Sequence, residues 1–103
     1  MRYLAVKYRN MRYRGYASKK EANRAAELHA LAQAGAITDL EQQVKFELVP
    51  KDEPGRAVHY IADFVYRSDG KLIVEDVKGF PTAVYKLKKR LMWCHRHIKT
   101  QEV

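Results

Sequence analysis

A single cysteine, Cys94, stands in this 103-residue chain. No internal disulfide can form from it. Such usage fits a reducing cytoplasm. No apolar run approaches the roughly 18–20 residues of a membrane span. The opening MRYLAVKYRN has no sustained apolar stretch behind its charge, so no secretory leader is expected. The five glycines never gather into a phosphate-cradling loop, and no repeat or low-complexity segment appears. Acid is scarce at both ends. Before Glu21 come Arg2, Lys7, Arg9, Arg12, Arg14, Lys19 and Lys20 with no carboxylate among them. After Asp76 come Lys78, Lys86, Lys88, Lys89, Arg90, Arg96 and Lys99 against Glu102 alone.

The formal charge is +8. Basic ends around an acidic centre suit a protein that grips phosphates and sets carboxylates among them. A merely solvated basic surface is the plainer alternative. Nearly half the residues are hydrophobic (47%), so the chain should fold, and its length makes one domain, 1–103. Residues 1–17 lack periodicity and read as a basic arm or irregular strands. Tyr3, Tyr8, Tyr13 and Tyr16 would either stack on bases or pack on the domain.

Ser18-Lys19-Lys20-Glu21 fits a capping box opening a helix that runs to about Ala34 and stops at Gly35. Ala22, Ala25, Ala26, Leu28, Leu31 and Ala32 form its apolar face. Residues 37–43 and 44–49 read as one long or two short strands, and 50–55 as a loop. Strands are predicted over 57–67 and 72–78, joined by Ser68-Asp69-Gly70-Lys71. Asp-Gly signals a two-residue type I′ turn, because both central positions need positive φ. A second helix is predicted over about 82–96, with Val84, Leu87, Leu91 and Cys94 or His95 buried and Trp93 packed. Residues 97–103 would add a last strand. The fold class is α/β (α+β), a mixed sheet with helices on it, in the order αβββαβ.

The hairpin carries the chemistry. If Ser68 pairs with Lys71, every opposed couple sums to 139 and Asp63 faces Asp76. Side chains alternate along a strand, so Lys78 shares that face. Like charges directly opposed are destabilising, and a bound divalent cation would offset the repulsion. A surface hairpin with a lysine–aspartate pair is the bland reading. Cys94-His95-Arg96-His97 lacks a second ligand pair at zinc-finger spacing.

Asp63 with Asp76-Val77-Lys78, in that element order, resembles the PD-(D/E)XK nuclease superfamily, the restriction-endonuclease-like fold. The likeness is closer to a small phage and prophage branch, described as hypothetical nucleases akin to Holliday-junction resolvases. It runs through SKKEANRAAEL (18–28), ITDLEQQVKFEL (37–48), YIADFVY (60–66), VEDVKG (74–79) and YKLKKRL (85–91). Ala62 stands where the family name has proline, and Asp76 takes a position often held by Glu. Glu75 is adjacent, but only Asp76 has Lys two residues on.

The resemblance implies a Mg²⁺-dependent DNA endonuclease in a host cytoplasm, with Mn²⁺ able to substitute. Asp63 and Asp76 would hold the ion, and the Val77 carbonyl would add a ligand. Lys78 would orient the attacking water or steady phosphorane charge. Glu21 would reach the metal directly or through water, beside its capping role. Gln43 would touch phosphate or water, unless it is only a polar strand residue. Arg12, Arg14, Lys19, Lys20, Lys86, Lys89 and Arg90 are the candidate DNA contacts. A homodimer is expected, since paired cuts need two sites. A general or nicking nuclease and a non-catalytic nucleic-acid-binding protein are the competing readings.

Overall fold

The computed structural model describes residues 15–77 and 81–103. The expected arm up to residue 14, with Arg12 and Arg14, and the catalytic candidate Lys78 lie outside the described residues. Helix α1 (Lys19–Gln33) is followed by β1 (Thr38–Val49), β2 (Val58–Ser68), β3 (Lys71–Asp76), helix α2 (Ala83–Arg96) and β4 (Gln101–Glu102). The order is αβββαβ, and the class is α+β. One four-stranded sheet runs β1-β2-β3-β4. Its first three strands are antiparallel, and β4 lies parallel to β3. A parallel neighbour needs a crossover, which α2 supplies.

Local chemistry sets the ends of these elements. Ser18 Oγ accepts the Glu21 amide at 3.1 Å, satisfying one of the orphan donors of the first turn. At the other end, Gly35 adopts φ 82°. Its amide reaches Ala32 O (3.1 Å) and that of Ala36 reaches Leu31 O (2.9 Å), a Schellman closure. Thr82 caps α2 through the Tyr85 amide at 3.1 Å, and His97 ends it in the left-handed region. Asp69 (φ 53°) and Gly70 (φ 76°) form the β2–β3 turn. Ser68 pairs with Lys71 and Phe64 with Glu75, so the couples do sum to 139.

Two apolar clusters cover opposite faces of the sheet. Ala25, Leu28 and half-buried Ala32 of α1 pack with Ile37, Phe64 and Tyr66. Met92, Tyr85 and Leu91 of α2 pack with Leu48, Tyr60, Ala62, Val65 and Val74. Neither Ala26 nor Leu31 joins the α1 face; both are exposed.

The α2 stripe also differs from the expected one. Val84 (61%), Leu87 (60%) and Trp93 (51%) are exposed, as are Cys94 and His95. Tyr85 and Met92 face the sheet instead, with Lys88 and Lys89 half-buried. A lysine can lay its methylene stem on apolar surface while its ammonium stays wet, so this face carries lysines that a polar/apolar reading assigns to solvent.

Besides irregularities in β1 between Thr38 and Glu41 and between Glu47 and Val49, alternation breaks in the middle of β2. Tyr60 and Ala62 face α2, as does Val65, whereas Phe64 and Tyr66 face α1. The slip falls at Asp63. In β1 the same break falls at Gln43, which has φ 54°. There Gln42 pairs with Phe64 and Val44 with Ala62. The sheet thus changes its inward face at the level of Gln43 and Asp63. Among the described residues, no helix is long and apolar enough to cross a membrane.

Candidate active site

Three carboxylates converge on the slip. Asp63 rises from β2, Asp76 ends β3, and Glu21 lies in the first turn of α1. Glu21 (7% exposed) and Asp76 (5%) are buried, unusual for acids and costly unless they are partnered. Gln43 bridges two of them. Its Nε2 donates to Glu21 Oε2 at 3.2 Å and to Asp63 Oδ1 at 3.4 Å. A residue without Cβ constraints would normally occupy its backbone conformation. Holding a glutamine there costs on the order of 1–2 kcal/mol, a strain that aims the amide between the acids.

Where β3 ends, the Val77 amide donates to Asp63 Oδ2 at 2.9 Å. The carboxylate therefore stands in for a ladder partner. Burial, foremost, and the charges of Glu21 and Asp76 push the Asp63 carboxyl up to about 7, against the pull of the Val77 amide. Asp76 accepts from the Tyr60 hydroxyl. Burial, with that hydrogen bond, pushes the Tyr60 phenol up, so it stays a donor. Among the described residues, no group of three or more His, Cys, Asp or Glu side chains is already arranged to hold a metal ion.

The adjacent acids have separate surroundings. Glu75 (1% exposed) points to the α1 side. Arg24 holds it with two parallel bonds, Nε to Oε1 at 2.9 Å and Nη2 to Oε2 at 2.6 Å. The Tyr66 hydroxyl donates to the same carboxylate. Burial and that hydrogen bond push the Tyr66 phenol up to about 12. The Glu75 bond likewise raises the Arg24 guanidinium. This network anchors α1 to β3, and hence Glu21 beside Asp63. Glu75 is consumed by structure, whereas Asp76 turns to the carboxylate cluster.

The chain belongs to the family described as protein of unknown function (DUF1064). That family matches residues 2–102. No curated protein and no solved structure matches the chain. In this DUF1064 chain, four sequence-named residues come together: Glu21, Gln43, Asp63 and Asp76. The amide of Val77 joins them through Asp63.

The basic candidates spread wider. Lys19 and Lys20 are exposed at the start of α1, next to Glu21. Lys86 and Arg90 are exposed on α2, while Lys89 pairs with Glu102 at 2.8 Å. The sequence reading did not name Tyr60, Arg24, Tyr66 or Tyr85. Period-two alternation puts Tyr60 on the face opposite Asp63, and only the slip brings its hydroxyl to Asp76. Tyr85 donates to Glu102 at 3.0 Å and contacts the Tyr60 ring at 6.4 Å, linking α2 to the site.

Proposed function

We propose that this chain is a metal-dependent DNA endonuclease of the PD-(D/E)XK type that hydrolyses phosphodiester bonds. The observation that carries the reading is the convergence of Glu21, Asp63 and Asp76 in one half-buried place, bridged by Gln43, within a strongly basic chain. Carboxylates packed together weaken phosphate binding unless a cation lies between them and the phosphate.

The donor set fits Mg²⁺ or Mn²⁺. Mg²⁺ takes hard oxygen ligands, keeps several waters, and needs only one or two carboxylates plus substrate phosphate. Asp63 and Asp76 would hold the ion, with Glu21 and the Val77 carbonyl as further oxygens. Once bound, it would supply charge neutralisation on the phosphate and a lowered pKa for water.

The chain's own residues do the rest. Asp63 gives up the proton that burial and its neighbours' charges hold on it. The Tyr60 hydroxyl orients the Asp76 carboxylate, and the Val77 amide orients that of Asp63. Gln43 swings its amide from Glu21 and Asp63 towards a phosphate oxygen or the attacking water. Lys78 is the sequence's candidate for steadying charge on the phosphorane. Lys19, Lys20, Lys86 and Arg90 offer cations to the strand.

Within this class we favour a phage-type Holliday-junction or branched-DNA resolvase, acting as a homodimer so that two sites cut two strands. The test is incubation of the full chain with labelled four-way-junction, duplex and single-stranded DNA, with Mg²⁺, Mn²⁺ or EDTA, beside Lys78→Ala and Asp63→Asn. Paired metal-dependent cuts near the junction, lost in both variants, are expected. Equal cutting of every substrate would replace the resolvase with a general nuclease. Tight binding with no cutting under any metal would favour a non-catalytic binding protein.

A further inference from the structure

Between α2 and the segment leading into β4 lies a groove of about 480 Å³. That is within the roughly 300–1,000 Å³ range of small-ligand sites. Lys86, Lys89, Arg90 and Lys99 line it, against the single carboxylate of Glu102. Trp93 forms part of the wall and is 51% exposed. The His97 ring and the indole meet in a T-shaped contact, 5.5 Å between centroids at 87°. A large aromatic left half in water, among cations, needs an explanation that core packing does not give.

A second observation lies in the groove wall. Thr100 is 2% exposed. Its hydroxyl lies near the Tyr60 phenol and makes no hydrogen bond among the described residues. Tyr60 in turn holds Asp76. Glu102 pairs with Asp76 across β3 and β4, and the Val103 amide donates to Asp76 O at 3.0 Å. The groove therefore opens one strand away from the carboxylate cluster.

We propose that this groove binds an unpaired stretch of single-stranded DNA, with a base stacked on Trp93 and its flanking phosphates on Lys86, Arg90 and Lys99. Every base presents a π-face, so aromatic stacking takes unpaired strand without sequence preference, and cations along the groove track its backbone. A base pair inside a duplex is stacked on both sides and offers no free face. Duplex alone therefore leaves Trp93 uncovered, while a branch or frayed end supplies the strand. The inference deepens the nuclease reading by naming the substrate feature beside the cut, and it rests on that reading for the choice of DNA.

The only tryptophan of the chain reports on the groove directly. The full chain in EDTA is titrated with a short oligothymidylate while Trp93 emission is followed. Saturable quenching is expected, at least tenfold tighter than with a blunt duplex of equal length. Trp93→Ala, followed by anisotropy of a labelled oligothymidylate, should bind about tenfold more weakly, since stacking contributes on that order per base. Lys99→Gln should flatten the salt dependence and keep the quenching. Equal quenching by inorganic phosphate or by an acidic peptide would overturn the proposal, as would preference for oligouridylate or for duplex. The two readings fail separately. Quenching by oligothymidylate without metal-dependent cutting keeps the groove and removes the nuclease. Cutting without quenching removes the groove alone.

Discussion

Val77 is the first residue past β3, and its amide donates to Asp63 Oδ2 at 2.9 Å rather than to a strand partner. One carboxylate thus both ends the β2–β3 ladder and enters the acidic cluster. Asp63→Asn keeps an acceptor for the Val77 amide and removes the charge that Glu21 and Asp76 oppose. The variant should be more stable than the parent at pH 8, by about 1 kcal/mol up to a few kcal/mol. It should lose metal-dependent cutting by roughly a hundredfold or more. Thermal melts and cleavage assays on the same preparation check both halves. A variant that melts far lower would mean the carboxylate is needed for folding.

The acidity of Asp63 gives a stability signature in metal-free protein. Its carboxyl titrates near the usual 3.8 when unfolded and at about 7 when folded. Between those values the native state binds more protons than the unfolded state, so stability falls as pH rises. The loss runs through a pH window of about 4 to 7 and is on the order of a few kcal/mol at most, since each pH unit between the two values contributes about 1.4 kcal/mol. Parent protein should therefore melt higher at pH 5.5 than at pH 8, and Asp63→Asn should show a flatter profile. Added Mg²⁺ should raise the melting temperature at pH 8 and do little at pH 5.5, because the ion must displace the proton. A parent profile that parallels the Asn variant would mean that Asp63 ionises freely, held up neither by burial nor by Glu21 and Asp76.

Much of this site follows from local rules. The Asp69-Gly70 turn sets the register of β2 and β3 as far as Phe64 opposite Glu75, and counting one residue further brings Asp63 near Asp76. Ser18 and Gly35 bracket α1, which places Glu21. Legibility ends where local rules are broken. Gln43 adopts a left-handed backbone that no propensity assigns to glutamine, and alternation slips at Asp63, so the approach of Tyr60 to Asp76 is invisible to a period-two reading. The α2 stripe fails for another reason. Tyr85, Lys88 and Lys89 bury ring and stems under polar tips, while Val84 and Leu87 stay exposed. The basic candidates were named by residue type alone, and burial and pairing separate them only in three dimensions.

Adjacent acids should respond in opposite ways. Glu75 is buried and clamped by Arg24 and Tyr66, so Arg24→Ala strands a buried charge. Breaking such a pair costs about 3 kcal/mol or more. Urea unfolding should register that loss, and Tyr66→Phe should cost about 1 kcal/mol. Asp76→Asn should instead leave the midpoint nearly unchanged and abolish the Mg²⁺-induced rise in melting temperature. If Asp76→Asn keeps the rise and Glu75→Gln loses it, the assignment of the two acids is reversed.

Gln43 offers a test in which the sign alone decides. At an ordinary strand position, Gly is less stable than Ala by roughly 0.5–1 kcal/mol, because its unfolded chain is freer. Gln43 has φ 54°, where any Cβ is strained by about 1–2 kcal/mol and glycine is not. The two effects oppose each other, and the larger one wins. Gln43→Gly should therefore unfold at higher urea than Gln43→Ala, by about 0.5–1 kcal/mol. Both lose the amide that bridges Glu21 and Asp63, so both should show the same cutting defect, and their stability difference isolates the backbone. An alanine variant more stable than the glycine one would show that this residue lies in ordinary extended strand, and the slip at Asp63 would lose its counterpart in β1.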